Sequence, residues 1–109
     1  MVKKLHHTGF VVTNLDHMVT FYRDVVGLEE QSRYERIGPG IDQVIGYENA
    51  HLKIALMGAD GEHILELIQY INPSSDKRLT DERSVQGATH LALHVDDIQK
   101  TFQTLVENG

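Results

Sequence analysis

His7-Thr-Gly-Phe-Val-Val-Thr-Asn-Leu15 and His90-Leu-Ala-Leu-His-Val-Asp-Asp-Ile98 are two copies of one pattern, and their reading decides the fold. At one constant offset Phe10 matches Leu93, Val12 matches Val95, Asn14 matches Asp97, Leu15 matches Ile98 and Tyr22 matches Leu105. Each copy reads as a strand, a tight turn and an amphipathic helix, and each strand opens on a histidine. A duplicated unit that places one imidazole per copy suggests a site on a pseudo-two-fold axis.

In the first copy Leu5 to Val12 is rich in apolar and β-favouring residues and predicts a buried strand. Asn14 and Asp16 supply turn and capping oxygens. Leu15, Met18, Val19, Tyr22, Val25 and Val26 then recur at helical spacing, and Gly27 stands where a left-handed residue commonly stops a helix. Leu28 to Ile37 reads as a second, half-exposed strand that Gly38-Pro39-Gly40 breaks. Asp42 to Glu48 is compatible with a short strand or an ordered loop. Asn49-Ala50 suits a hairpin turn. His51 to Met57 alternates, with Leu52, Ile54 and Leu56 on one face. Ala59-Asp60-Gly61-Glu62 is a second tight connection. His63 to Tyr70 is an apolar strand with one carboxylate, Glu66, in its middle. Residues 72–87 are polar and read as a linker. The pattern then returns, with a strand from His90 to Val95 and a helix from about Ile98 to Asn108.

The expected organisation is one domain over residues 1–109: a first module at 1–71, the linker, and a partial second module at 88–109. The net charge of −6 and the pI of about 5.5 disfavour a nucleic-acid partner. No run is long enough for a membrane span and the N-terminus lacks a signal-peptide core, so a cytoplasmic location is expected. The absence of Cys excludes disulfides and thiolate metal sites. Gly38-Pro39-Gly40 is no phosphate loop, because no Lys-Ser/Thr follows it.

Strand parity sorts the chemistry-bearing side chains. His7 points with Gly9 and Val11, Glu66 with Ile64, Ile68 and Tyr70, and His90 with Ala92 and His94. The opposite faces, with Phe10, Leu65, Leu67, Leu91 and Leu93, suit packing on helices. His7, Glu66 and His90 can therefore share the face turned away from the helices, where two imidazoles and a carboxylate suit a divalent metal. A single strand histidine is most often a surface or hydrogen-bonded residue; repetition at an equivalent position is what singles out these two. A carboxylate within Ile64 to Ile68 is costly if buried unpaired, by several kcal/mol, and asks for a cation, a strong donor or water. His6, His17, His51 and His63 have no repeat partner and read as solvated or edge residues. His94 matches Val11 and gains no support from the duplication. Asp96-Asp97, at a strand-to-helix turn, reads as a cap rather than a paired-carboxylate site.

These residues resemble the glyoxalase/bleomycin-resistance/extradiol-dioxygenase superfamily, the vicinal oxygen chelate proteins. The resemblance rests on His7-Thr-Gly-Phe-Val-Val with Leu15, on Phe21-Tyr-Arg-Asp-Val-Val-Gly-Leu28, on Leu65-Glu-Leu-Ile68 and on His90 to Ile98, and it covers the whole chain. It implies an α+β fold of paired βαβββ modules curled into a half-barrel around one divalent metal, with the second module incomplete in this chain. It implies metal ligation by His7, Glu66 and His90, by a Zn, Ni, Co, Mn or Fe ion. The fourth ligand of such proteins, usually Glu, comes from the last strand of the second module. The sequence stops before that strand, so a fragment or a truncation is expected.

A ligand at Glu66 resembles glyoxalase I and methylmalonyl-CoA epimerase rather than the extradiol dioxygenases. Val11, where glyoxalase I has a glutathione-holding Arg, and the lack of Asn-Trp-Gly after Glu66 argue against glutathione adducts. The implied activity is that of a metal-dependent lyase or isomerase that forms an enediolate by proton transfer on a small carbonyl substrate, with Glu66 as the catalytic carboxylate. Ile64, Ile68, Tyr70 and His94 are the expected pocket walls. The rival readings are a metal-free protein that binds a small hydrophobic molecule, as bleomycin-resistance proteins do, and an extradiol-type dioxygenase. Unfinished sheet edges and the pairing of modules across two-fold axes in such proteins lead to the expectation of a homodimer or larger assembly.

Overall fold

A computed structural model describes residues 1–109 with the exception of Asp60. The expected Asp-Gly turn therefore lies partly outside the described residues. The chain divides into two compact units, Met1–Ser74 and Ser75–Gly109.

The first unit is α+β. Strand β1 (His7–Val11) leads into helix α1 (Leu15–Thr20), which continues as a π-helical segment, Phe21–Val26. Strand β2 (Glu29–Ile37), helix α2 (Pro39–Ile45), strand β3 (His51–Gly58) and strand β4 (Ile64–Asn72) follow. The four strands form one open sheet in the order β1-β4-β3-β2. Strand β1 runs parallel to β4, and the two pairings within β2-β3-β4 are antiparallel.

Local chemistry accounts for the element ends. The Asn14 side chain accepts from the His17 N–H at 3.0 Å and caps α1. The π-helical segment closes at Gly27, whose φ of 93° is left-handed, and both the Gly27 and Leu28 N–H groups reach back to the Tyr22 carbonyl. Pro39 sits in the first turn of α2, where its missing N–H costs nothing. Asp42 to Ile45 thus form the second half of a helix rather than a strand or loop, and residues 46–48 follow it outside regular structure. The Asp42 carboxylate then accepts from the Asn49 and Ala50 N–H groups, at 3.0 and 2.8 Å, and fastens α2 to the start of β3. The sequence pattern hid this helix because it is short, begins on a Gly-Pro-Gly breaker and buries no residue fully.

Register sorts the sheet into two faces. On one, Leu65 and Leu67 of β4 pair with Met57 and Ala55 of β3, and all four are buried. Gln69 shares this face and accepts from the Leu15 N–H at 2.9 Å, which places α1, with buried Leu15 and Val19, over it. The other face carries His7, Gly9 and Val11; Ile64, Glu66, Ile68 and Tyr70; Leu56, Ile54 and Leu52; and Ser32, Tyr34 and Arg36. Leu52 and Ile54 are buried there as well.

In the second unit helix α3 (Ile98–Glu107) is capped by Asp97, which accepts from the Lys100 N–H at 3.0 Å. The expected strand from His90 to Val95 does not form; these residues are irregular and belong to no sheet. A strand exists only by pairing its N–H and C=O groups with a neighbour, and residues 75–109 contain no second strand to supply them.

Candidate functional site

Two strands bring His7 and Glu66 together. The parallel register sets Gly9 beside Glu66 and His7 one pleat away beside Ile64. Because all of these share one face, the His7 ring leans toward the Glu66 carboxylate, with Nε2 3.9 Å from Oε2. The Glu66 side chain is 17% exposed and that of His7 is 45% exposed, so the pair lies at the mouth of the face rather than in a sealed core.

That separation is too long for a hydrogen bond. It falls within the ~4.2 Å that two ligand atoms can span when each stands ~2.1 Å from a shared ion. A proton on Nε2 would serve the carboxylate poorly at this distance, whereas a cation between the two atoms would serve both.

The other His7 nitrogen is engaged. His7 Nδ1 and His6 Nδ1 are 2.8 Å apart, with the rings edge to face. One nitrogen must donate and the other accept. When His7 is the donor, its Nε2 carries a lone pair aimed at the Glu66 side, the form that a metal requires. His6, exposed as its reading as a solvated or edge residue expects, stands where it can orient His7. The signal available was its adjacency alone.

Gly9 is the third component. A Cβ there would stand 3.5 Å from Glu66 Oε1 and 3.3 Å from Ile68 Cδ1. Glycine therefore keeps the space in front of the carboxylate open. In the sequence, Gly9 is visible only as the residue sharing the parity of His7.

Of the remaining expected residues, Ile64, Ile68 and Tyr70 stand on the Glu66 face, all half-buried. His90 and His94 belong to the second unit, where both lie in the irregular segment before α3. Among the described residues no group of three or more His, Cys, Asp or Glu comes together in an arrangement able to hold a metal ion. Within the first unit the chemistry of the donor set, one oriented imidazole and one carboxylate at a shared-ion spacing, fits a divalent ion as two of its ligands.

Among the described residues no helix is long and apolar enough to cross a membrane. The model of the Glyoxalase/Bleomycin resistance protein/Dioxygenase superfamily matches residues 4–109. Among curated proteins, the chain is 28% identical over 104 residues to a 2-epi-5-epi-valiolone epimerase from an Actinomyces species, covering 93% of this chain and 56% of that protein. It is 26% identical over 106 residues to the mitochondrial methylmalonyl-CoA epimerase of Dictyostelium discoideum, covering 96% and 57%. The chain thus spans little more than half the length of these two epimerases. Among solved structures, a glyoxalase family protein from Bacillus cereus superposes with a TM-score of 0.77 at 22% identity, over all of this chain and 74% of that one. The trypanothione-dependent glyoxalase I of Leishmania major superposes with a TM-score of 0.68 at 17% identity, over 98% and 67%. At these identities the two structures establish the fold alone.

Proposed function

The chain belongs to the Glyoxalase/Bleomycin resistance protein/Dioxygenase superfamily, and from that premise we propose that it serves a metal-dependent isomerase of the epimerase or glyoxalase type, acting on a small carbonyl substrate. The observation that carries this reading is the His7–Glu66 pair at 3.9 Å, with His7 oriented by His6 and the space before Glu66 kept open by Gly9. The epimerase relatives support the reaction class: an epimerase inverts a centre, which calls for removing and returning a proton.

A bound divalent ion would polarise the substrate carbonyl and make the adjacent C–H acidic. His7 and Glu66 would hold it in the first unit. The chain's own residues then have separate tasks. The His7 ring is held through its Nδ1 contact with His6. Glu66 takes the proton from carbon at a carboxylate oxygen, and inversion requires that a proton then return to the opposite face of the flattened carbon from a second donor. Ile64, Ile68 and Leu56 flank Glu66 with apolar surface, which limits water around the reacting carbon.

The test combines metal content with solvent isotope exchange. Purified protein should hold a divalent metal, and deuterium should enter a 2-oxo or thioester substrate at the carbon beside the carbonyl. Glu66→Gln should keep the fold, weaken metal binding and abolish exchange. Unchanged exchange in that variant with metal bound would show that the carboxylate is neither base nor needed ligand. Metal-free protein that still binds small apolar molecules would favour the binding-module reading, and oxygen consumption with Fe or Mn would favour a dioxygenase.

A further inference from the structure

Arg36 differs from the other arginines of the first unit. Arg23 pairs with Asp24 and Glu30, and Arg33 with Glu30 and Asp16. Hydrogen bonds to Asp24 and to Glu30, respectively, raise the pKa of these two guanidiniums further. Arg36 has no carboxylate partner among the described residues. Its guanidinium lies instead over the Tyr34 ring, 4.4 Å from the centroid. Stacking covers one plane of the fork and leaves its N–H edge free to grip an anion bidentately.

The register places this group relative to the proposed chemistry. Arg36, Leu52 and Tyr70 form one cross-strand row; Tyr34, Ile54 and Ile68 form the next; Ser32, Leu56 and Glu66 form the one after. All stand on the Glu66 face. Tyr47, just after α2, brings its ring edge-on to Tyr70 at 6.2 Å between centroids. Three of the four tyrosines thus gather with Arg36 at one end of that face. Among the described residues none of their three hydroxyls has a protein hydrogen-bond partner. Strand rise and spacing put the Cα atoms of Arg36 and Glu66 about 16 Å apart along the sheet. The arginine stem closes part of that gap, leaving on the order of 10 Å between its head and the Glu66 carboxylate. Ile54, Ile68 and Leu56 form the floor between the two.

We infer that Arg36, with Tyr34, Tyr47 and Tyr70, forms an anion-binding subsite, and that the substrate is an elongated carbonyl compound with an apolar middle and a carboxylate or phosphate at its far end. The inference rests on the reading of His7 and Glu66 as the reacting end. In a chain of net charge −6, a guanidinium without a carboxylate partner on the Glu66 face supplies local attraction for an anionic tail. The aromatic planes and apolar floor select what is attached to it.

Binding of 4-phenylbutyl phosphate, 4-phenylbutyrate and neutral 4-phenylbutanol to the full chain tests this, followed by calorimetry and by the Arg36 Nε–H NMR resonance. Both anions should bind more tightly than the alcohol and shift that resonance, and the tighter of the two identifies the tail. Arg36→Met should weaken both anions by about tenfold or more and leave the alcohol unchanged. Arg36→Lys should fall between the two, because it keeps the charge and loses the fork. Equal binding of anions and alcohol, or anion binding unchanged in a folded Arg36→Met chain, overturns the inference. A parallel Co(II) titration separates the two readings: anion binding that persists in a chain taking up no metal sustains the subsite and removes the metal reading, while metal uptake without anion preference does the reverse.

Discussion

At the scale of single residues, the site depends on neighbours that carry no charge of their own in the reaction. His6 holds the His7 ring by an Nδ1–Nδ1 contact of 2.8 Å. Replacing a group that orients a metal-binding histidine commonly lowers affinity by about 10–100-fold, so His6→Ala should weaken metal binding by about that factor. Competition with a chromophoric chelator measures it, and affinity equal to that of the native chain would mean the contact orients nothing. Gly9→Ala makes a complementary test. The φ of Gly9 is not left-handed, so the backbone accepts alanine, yet the new methyl would press on Ile68 and come into van der Waals contact with the Glu66 carboxylate. Stability should change by about 1 kcal/mol or less, because lower unfolded-state entropy offsets the crowding. Metal affinity should fall by about tenfold as the methyl fills the space beside the carboxylate. A loss of stability with unchanged affinity would place Gly9 in the packing rather than the site.

At the scale of elements, the duplication survives most clearly in the helix caps. Asn14 has φ −141° and ψ 101°, Asp97 has φ −136° and ψ 103°, and each accepts from the N–H three residues on at 3.0 Å. The matched positions of the repeat therefore adopt one conformation for one reason, the satisfaction of an otherwise unpaired helical N–H. Asn14→Ala and Asp97→Ala should each cost about 1 kcal/mol of the stability of the element they cap. Hydrogen exchange at His17 and Lys100 reads the two losses separately, and unaltered protection at either amide would contradict the capping role. The sheet is less forgiving. Leu67 is fully buried between Ala55 and the β1 pairing, opposite Phe10. Leu67→Ala should cost about 3 kcal/mol, seen as a lower denaturant midpoint with an unchanged slope.

At the scale of the whole molecule, exposed apolar surface points to association. Ile98, Phe102 and Val106 recur at helical spacing on α3 and are 64%, 64% and 59% exposed. Strands β1 and β2 are the sheet edges, and Val11 on the first is 69% exposed. Such stripes and open edges favour burial against another chain. A homodimer or larger assembly is the expected state at micromolar concentration. Sedimentation tests it, and Phe102→Glu should shift the equilibrium toward monomer without unfolding the first unit. A cooperative monomer in the native chain would mean that these surfaces are tolerated in water.

The local grammar of the chain was legible in its sequence: the period of α1, the stop at Gly27, the strands β2, β3 and β4, and the two histidine-headed repeats. Parity alone put Glu66, Ile64, Ile68 and Tyr70 on one face and Leu65 and Leu67 on the other, because side chains alternate along any strand whatever its partners. What pairing decides was not legible. The segment from His90 to Val95 has the composition of a strand but joins no ladder, and propensity cannot form one by itself. Helix α2 escaped notice because it depends on the Asp42 contacts with Asn49 and Ala50 rather than on periodicity. The His6–His7 contact, the opening at Gly9 and the unpaired Arg36 on Tyr34 are likewise facts of register and rotamer. The sequence by itself determined on which side of each strand that forms its side chains stand. Only the tertiary structure decided which of them meet, because distance between side chains is set by the order and offset of strands, and those follow from hydrogen bonds between segments far apart in the chain.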